Sequence, residues 1–166
     1  NLYLASVYIT KKTRGIAYTD ITTGEFTALE VRDDHDNELL ISELVRISPK
    51  EIIYFDETSS DFIDLYCKTS PGTYINTIDE SYFKYSSCED ILLSQFEVTS
   101  LIPLDIQDKR EVTIASGSLL LYLMETEKHA SPQIKHLILK ESGLNMILDR
   151  STMRNLELIE TQYNQS

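Results

Sequence analysis

Three apolar runs crowd into the start of the chain: LYLASVYI at 2–9, GIAYTD at 15–20 and EFTALEV at 25–31, separated by KKTR and TTG. Links this short return the chain beside itself, so the runs are predicted to form three strands of an antiparallel meander. The first run is apolar, aromatic or β-branched at odd and even positions alike, as a central strand covered on both faces requires. Gly15 closes the first turn, and Gly24 stands where the second needs a positive φ.

The pattern then changes period. After the acidic RDDHDNE at 32–38, Leu40, Ile41, Leu44, Val45 and Ile47 lay one apolar stripe along a helix that starts at the Asp run and stops at Ser48-Pro49. EIIYF at 51–55 is short, apolar and bounded by turn residues, hence a buried strand reached through a helical crossover. SSDFIDLYCK at 59–68 predicts a second helix with Ser60 or Asp61 near its cap, and TYINTI at 73–78 a fifth strand. The expected class is α/β: a mixed five-stranded sheet with flanking helices in the order of a ribonuclease-H-like fold, followed by a partial all-helical segment.

Beyond about Ile78 the strand signals stop. SYFKYSSCEDILLSQF at 81–96 and REVTIASGSLLLYLMETEK at 110–128 carry helical spacing, the latter despite Gly117, which costs about 1 kcal/mol relative to Ala. The link at 99–109, with Pro103, is the candidate domain boundary, and HASPQIKHL at 129–137 is a second break. Residues 134–148 stay open, because LILKESGLNMIL also reads as two short extended pieces around Gly143. LDRSTMRNLEL at 148–158 begins a well-capped helix, with Asp149 as its cap, that has little chain left to run. With no Met at the start and an unfinished helix at the end, the chain is expected to be a piece of a larger protein.

The 166 residues suit one domain, or one plus part of another, and a chain of this size buries roughly 70% of its unfolded surface. Its formal charge of −12 opposes a phosphate-tracking surface, since nucleic-acid affinity rests on Lys and Arg releasing counterions. Cys67 and Cys88 have no partner spacing for a disulfide framework or a zinc site, and a reducing, intracellular setting is expected. The longest apolar run, LLLYLM at 119–124, is far short of the ~20 residues that span a bilayer. Without G-x-x-x-x-G-K-[ST] no phosphate cradle is expected.

Asp20, Glu25 and Asp56 are the carboxylates that sit near predicted strand ends, where a ribonuclease-H-like nuclease would hold divalent metals; a metal-dependent nuclease using them is the alternative function. The Asp run at 33–36 lacks the spaced ligands and glycine of a calcium loop and reads as a helix start. His35, His129 and His136 stand singly. Ser116-Gly117-Ser118 lies inside a predicted helix and lacks the G-x-S-x-G of a nucleophile elbow. Tyr82, Phe83 and Tyr85 surround Lys84 on a helix too short to bury every ring, which leaves two readings: one or two rings in the core with the others amphipathic, or a candidate partner-binding face.

NLYLASVY at 1–8, GIAYTDITTGEF at 15–26, ELVRISPKEIIY at 43–54, SGSLLLYLMETEK at 116–128 and LDRSTMRNLELIET at 148–161 resemble consecutive blocks of the MutS mismatch-repair family. They follow the family's order and spacing over almost the whole chain, more weakly between about 56 and 110. The resemblance implies that residues 1–108 are the ribonuclease-H-like connector domain and that 109–166 open the truncated helical core, or lever, domain. It implies a connector that relays between ATPase and DNA-binding parts and offers a docking surface to MutL, with Tyr82, Phe83, Lys84 and Tyr85 on or near that face. No catalysis and no cofactor are expected in the fragment; ATP and magnesium, mismatched DNA, other MutS domains and a homodimer belong to the full-length cytoplasmic protein.

Overall fold

A computed structural model describes residues 1–11, 13–32, 37–55 and 60–141. Asp33, Asp34, His35, Asp36 and Asp56, and the helix expected from 148, lie outside the described residues.

The meander forms as its short links require: β1 (Tyr3–Ile9), β2 (Thr13–Asp20) and β3 (Phe26–Arg32). β1 pairs antiparallel with β2 from Tyr3↔Asp20 to Ile9↔Arg14, and β2 with β3 from Thr13↔Arg32 to Thr19↔Phe26. Gly24 takes φ 84° in the second turn, and its N–H donates to the Asp20 carbonyl at 2.8 Å. α1 (Glu38–Ile47) starts after Asn37, whose side chain makes no cap bond and instead accepts from Arg14 Nε at 3.1 Å and Nη2 at 2.9 Å. Its end is the expected stop: Ser48 turns left-handed at φ 53° and donates to Leu44 before Pro49 takes the chain out. β4 (Glu51–Tyr54) then lies parallel to β1, and α2 (Ser60–Thr69) leads to β5 (Tyr74–Thr77), parallel to β4.

The sheet has six strands, which corrects the expected five. β6 (Leu137–Lys140) comes from the stretch left open over 134–148, where the extended reading is the one that holds, and pairs parallel with β3, so the order is β5-β4-β1-β2-β3-β6. Four residues, LILK, are too few for alternation to show; pairing with β3 makes them a strand.

Helices cover both faces. Strand alternation sends Ala5, Val7, Ile16, Leu29 and Ile52 to one side, where Leu40, Leu44, Phe62 and Tyr66 of α1 and α2 close a large-residue core. Leu4, Ala17, Phe26, Ala28 and Ile53 face the other side and meet α3 (Tyr85–Phe96) and α4 (Arg110–Thr126). Every α4 residue from Val112 to Leu120 is buried, so this helix is apolar or small all round, as a helix enclosed on all sides must be. The packing therefore runs across residue 108 without a break: α4 lies on β1, β2 and β3, and β6 completes the sheet.

Candidate partner-docking surface

The helix expected over 81–96 is two elements. Glu80–Phe83 is a 3-10 turn whose N-cap Asp79 accepts from the Ser81 N–H at 3.3 Å; Lys84 is extended at φ −81° and ψ 128°, and α3 begins at Tyr85. The break turns the four candidate side chains in different directions. Phe83 is buried, stacked 6.0 Å from the Tyr8 ring and 6.2 Å from Phe55. Tyr82 is half-buried and donates its hydroxyl to Glu125 of α4, a bond that pushes the phenol above its usual range. Tyr85 is half-buried beneath the Arg110 guanidinium, 5.0 Å above the ring centroid, and burial raises its phenol. Lys84 is exposed. Phe83 is thus the anchor of this surface, while Lys84 and the edges of Tyr82 and Tyr85 face solvent.

A second polar set, missed in the sequence, lies where Tyr122 of α4 reaches the side chains of β4 and β5. Tyr122 donates its hydroxyl to Glu51 Oε2 at 2.7 Å, and Asn76 donates to both Glu51 Oε2 and the Tyr122 oxygen at 2.9 Å. Burial, with the hydrogen bond to Glu51 second, pushes Tyr122 up to about 12. The one available signal was a tyrosine interrupting the aliphatic LLLYLM.

Ser116-Gly117-Ser118 is a packing device. A Cβ on Gly117 would lie 2.2 Å from the Cys88 Cβ, so α3 and α4 touch there backbone to side chain. Ser118 and Ser6 of β1 share a buried hydrogen bond of 2.8 Å. On β2, a Cβ at Gly15 would meet the Glu111 carbonyl oxygen at 2.2 Å. Ser116 Oγ is buried with no hydrogen-bond partner among the described residues. Cys88 donates to the carbonyls of Tyr82 at 3.3 Å and Ile114 at 3.5 Å, and burial pushes its thiol up to about 12, which makes it unreactive at neutral pH.

Asp20 is held by its own turn. Its Oδ1 accepts from the Thr22 hydroxyl at 2.6 Å and the Thr22 N–H at 3.0 Å, and the hydroxyl bond holds the carboxyl below its usual range. Glu25 is exposed across the same turn, bordering an open groove of about 550 Å³ with Asp20, Lys135 and His136. Among the described residues no group of three or more His, Cys, Asp or Glu is placed to hold a metal. No helix among them is long and apolar enough to cross a membrane. His129 and His136 are exposed, the former with Nε2 3.7 Å from Glu127.

The family model described as MutS domain II matches residues 2–137. A DNA mismatch repair protein MutS of Ruminiclostridium cellulolyticum is 37% identical over 100% of this chain and 19% of its own length. The proteins of that name from Parabacteroides distasonis and Alkaliphilus metalliredigens are 34% and 33% identical, each over 97% of the chain and 18% of theirs. The chain therefore spans about a fifth of the length of the relatives it matches.

Proposed function

The chain belongs to the MutS family, as its domain II, and on that premise we propose that it is the connector of a MutS-like DNA mismatch repair protein. The connector does no catalysis; it relays nucleotide state between ATPase and DNA-binding parts carried elsewhere in the parent protein and offers a docking surface to MutL. ATP, magnesium, mismatched DNA and the homodimer belong to that cytoplasmic parent. The observation that carries this reading is the continuous likeness to MutS domain II over residues 2–137. The strand order supports a ribonuclease-H-like sheet, since an antiparallel β1–β3 meander flanked by parallel β4 and β5 is the arrangement that fold name denotes.

A relay needs a part that moves as one piece, and the contacts of α4 supply it. Gly15 and Gly117 leave no clearance between α4 and its neighbours, so a displacement of α3 is handed to the sheet rather than absorbed. The charge of −12 suits a protein-contacting role over a DNA-gripping one. The test is calorimetric titration of the chain with MutL from the same source, beside a DNA-only control. Binding to MutL and not to DNA is the expected result; binding to DNA alone would overturn the reading. Within the full-length protein, Tyr82→Ala, Lys84→Ala and Tyr85→Ala should each weaken MutL binding, and undiminished binding in all three would remove this surface from the docking face.

A further inference from the structure

β5 stands at one end of the sheet and, among the described residues, pairs only with β4. Its polarity follows from two bonds: the Tyr74 N–H donates to the Lys50 carbonyl at 2.8 Å, and the Ile78 N–H to the Tyr54 carbonyl at 3.0 Å. Backbone groups alternate along a strand, so Tyr74, Asn76 and Ile78 face β4, while Ile75 and Thr77 turn their N–H and C=O outward. The side chains alternate as well. Tyr74 is 62% exposed and shares a face with Asn76, whose amide is held by Tyr122; Ile75 packs toward the α1 and α2 side.

On the Tyr74 face carboxylates outnumber cations. Glu51 lies under Asn76, Glu125 stands one helical turn beyond Tyr122 and holds the Tyr82 hydroxyl, and Asp79 comes two residues after the strand and acts on the same hydroxyl. None of the three forms an ion pair among the described residues, and Lys84 offsets part of the charge from the Asp79 side. An exposed phenol ring beside carboxylates suits an alkylammonium or guanidinium group.

We propose that the outer edge of β5 is a docking strand for an extended segment of a partner protein with Lys or Arg at alternate positions. The segment's backbone bonds to Ile75 and Thr77, and its basic side chains lie along Tyr74, Glu125 and Asp79. This deepens the partner-docking reading above by naming the chemistry of what docks, and it moves the centre of the surface from the buried Phe83 to Tyr74.

The test follows amide hydrogen exchange of the whole chain, alone, with an end-blocked peptide alternating Lys and Val, with its Glu-Val counterpart, and with MutL. The Lys-Val peptide should slow exchange at Ile75 and Thr77 and the Glu-Val peptide should not. Thr77→Pro removes one outward N–H at a position where an edge strand tolerates proline, and Glu125→Lys inverts one charge; each should weaken the Lys-Val peptide about tenfold or more. Protection of both amides before any peptide is added, or binding that leaves them unprotected, would overturn the proposal. MutL binding unaffected by Thr77→Pro would sink it while leaving the docking reading intact. Peptide binding without MutL binding would do the reverse.

Discussion

Both faces of the sheet bury large side chains, but only one adds a seam of close backbone contact. Under α1 and α2 the core is built from volume: Leu40, Leu44, Phe62, Tyr66, Ile16, Leu29 and Ile52 are all buried. Under α3 and α4, Phe26, Ile53, Leu92 and Leu119 supply volume too, but small residues along α4 and β1–β2 bring backbones close, and at Gly15 and Gly117 a single added methyl has nowhere to go. The first face should suffer when atoms are removed and the second when they are added. A core that depends on volume keeps its shape loosely, whereas one that depends on contact keeps its geometry, which is the property a relay requires.

The largest effect belongs to the volume face. Phe62→Ala should cost about 3–5 kcal/mol in urea unfolding at unchanged slope, because the cavity between α2 and the sheet refills only in part. A loss no greater than a surface substitution would erase the contrast. On the contact face the addition of one carbon is the matching test: Gly117→Ala should cost about 1–3 kcal/mol, even though alanine is the better helix former, since its Cβ collides with Cys88. A stabilised Gly117→Ala chain would show that propensity outweighs contact there.

Alkaline pH probes the same contact. The Cys88 thiol is raised in the fold from 9.0 to about 12, so its contribution is complete below pH 9 and is lost as pH rises toward about 12. In that window stability should fall by about 1.4 kcal/mol per pH unit more in the native chain than in Cys88→Ala. Equal slopes would mean that the thiol is not desolvated. The smallest effect lies outside both cores. Asp20→Asn should cost about 1 kcal/mol through the turn bonds to Thr22. The native carboxyl is depressed, so its stabilisation is present above the ordinary carboxylate range and lost as pH falls through its folded value, and the pH dependence of unfolding should be shallower there in the variant.

Much of the fold was legible because it is local. The meander follows from three apolar runs with links too short for anything but antiparallel return, and Gly24 and Ser48-Pro49 mark their turns by backbone chemistry alone. Lys84 breaks an apolar spacing that reads as one helix through 81–96, because Phe83 is drawn toward Tyr8 and Phe55, partners distant in sequence. The candidate surface was legible as a composition of rings and a lysine; which ring is buried was not. Tyr74 gave no signal, since exposure at a sheet edge depends on the absence of a neighbouring strand.

The class of fold, the first five strands, the helical crossovers and the family could all be read along the chain, because period, turn residues and block order are properties of neighbours in sequence. Tertiary structure decided which partner the extended LILK piece takes, β3, that Gly117 is a point of contact with Cys88, and that α4 belongs against the sheet. Each of these depends on what a residue meets from far away, and hydrogen-bond pairing and steric clearance have no signature in a chain read one position at a time.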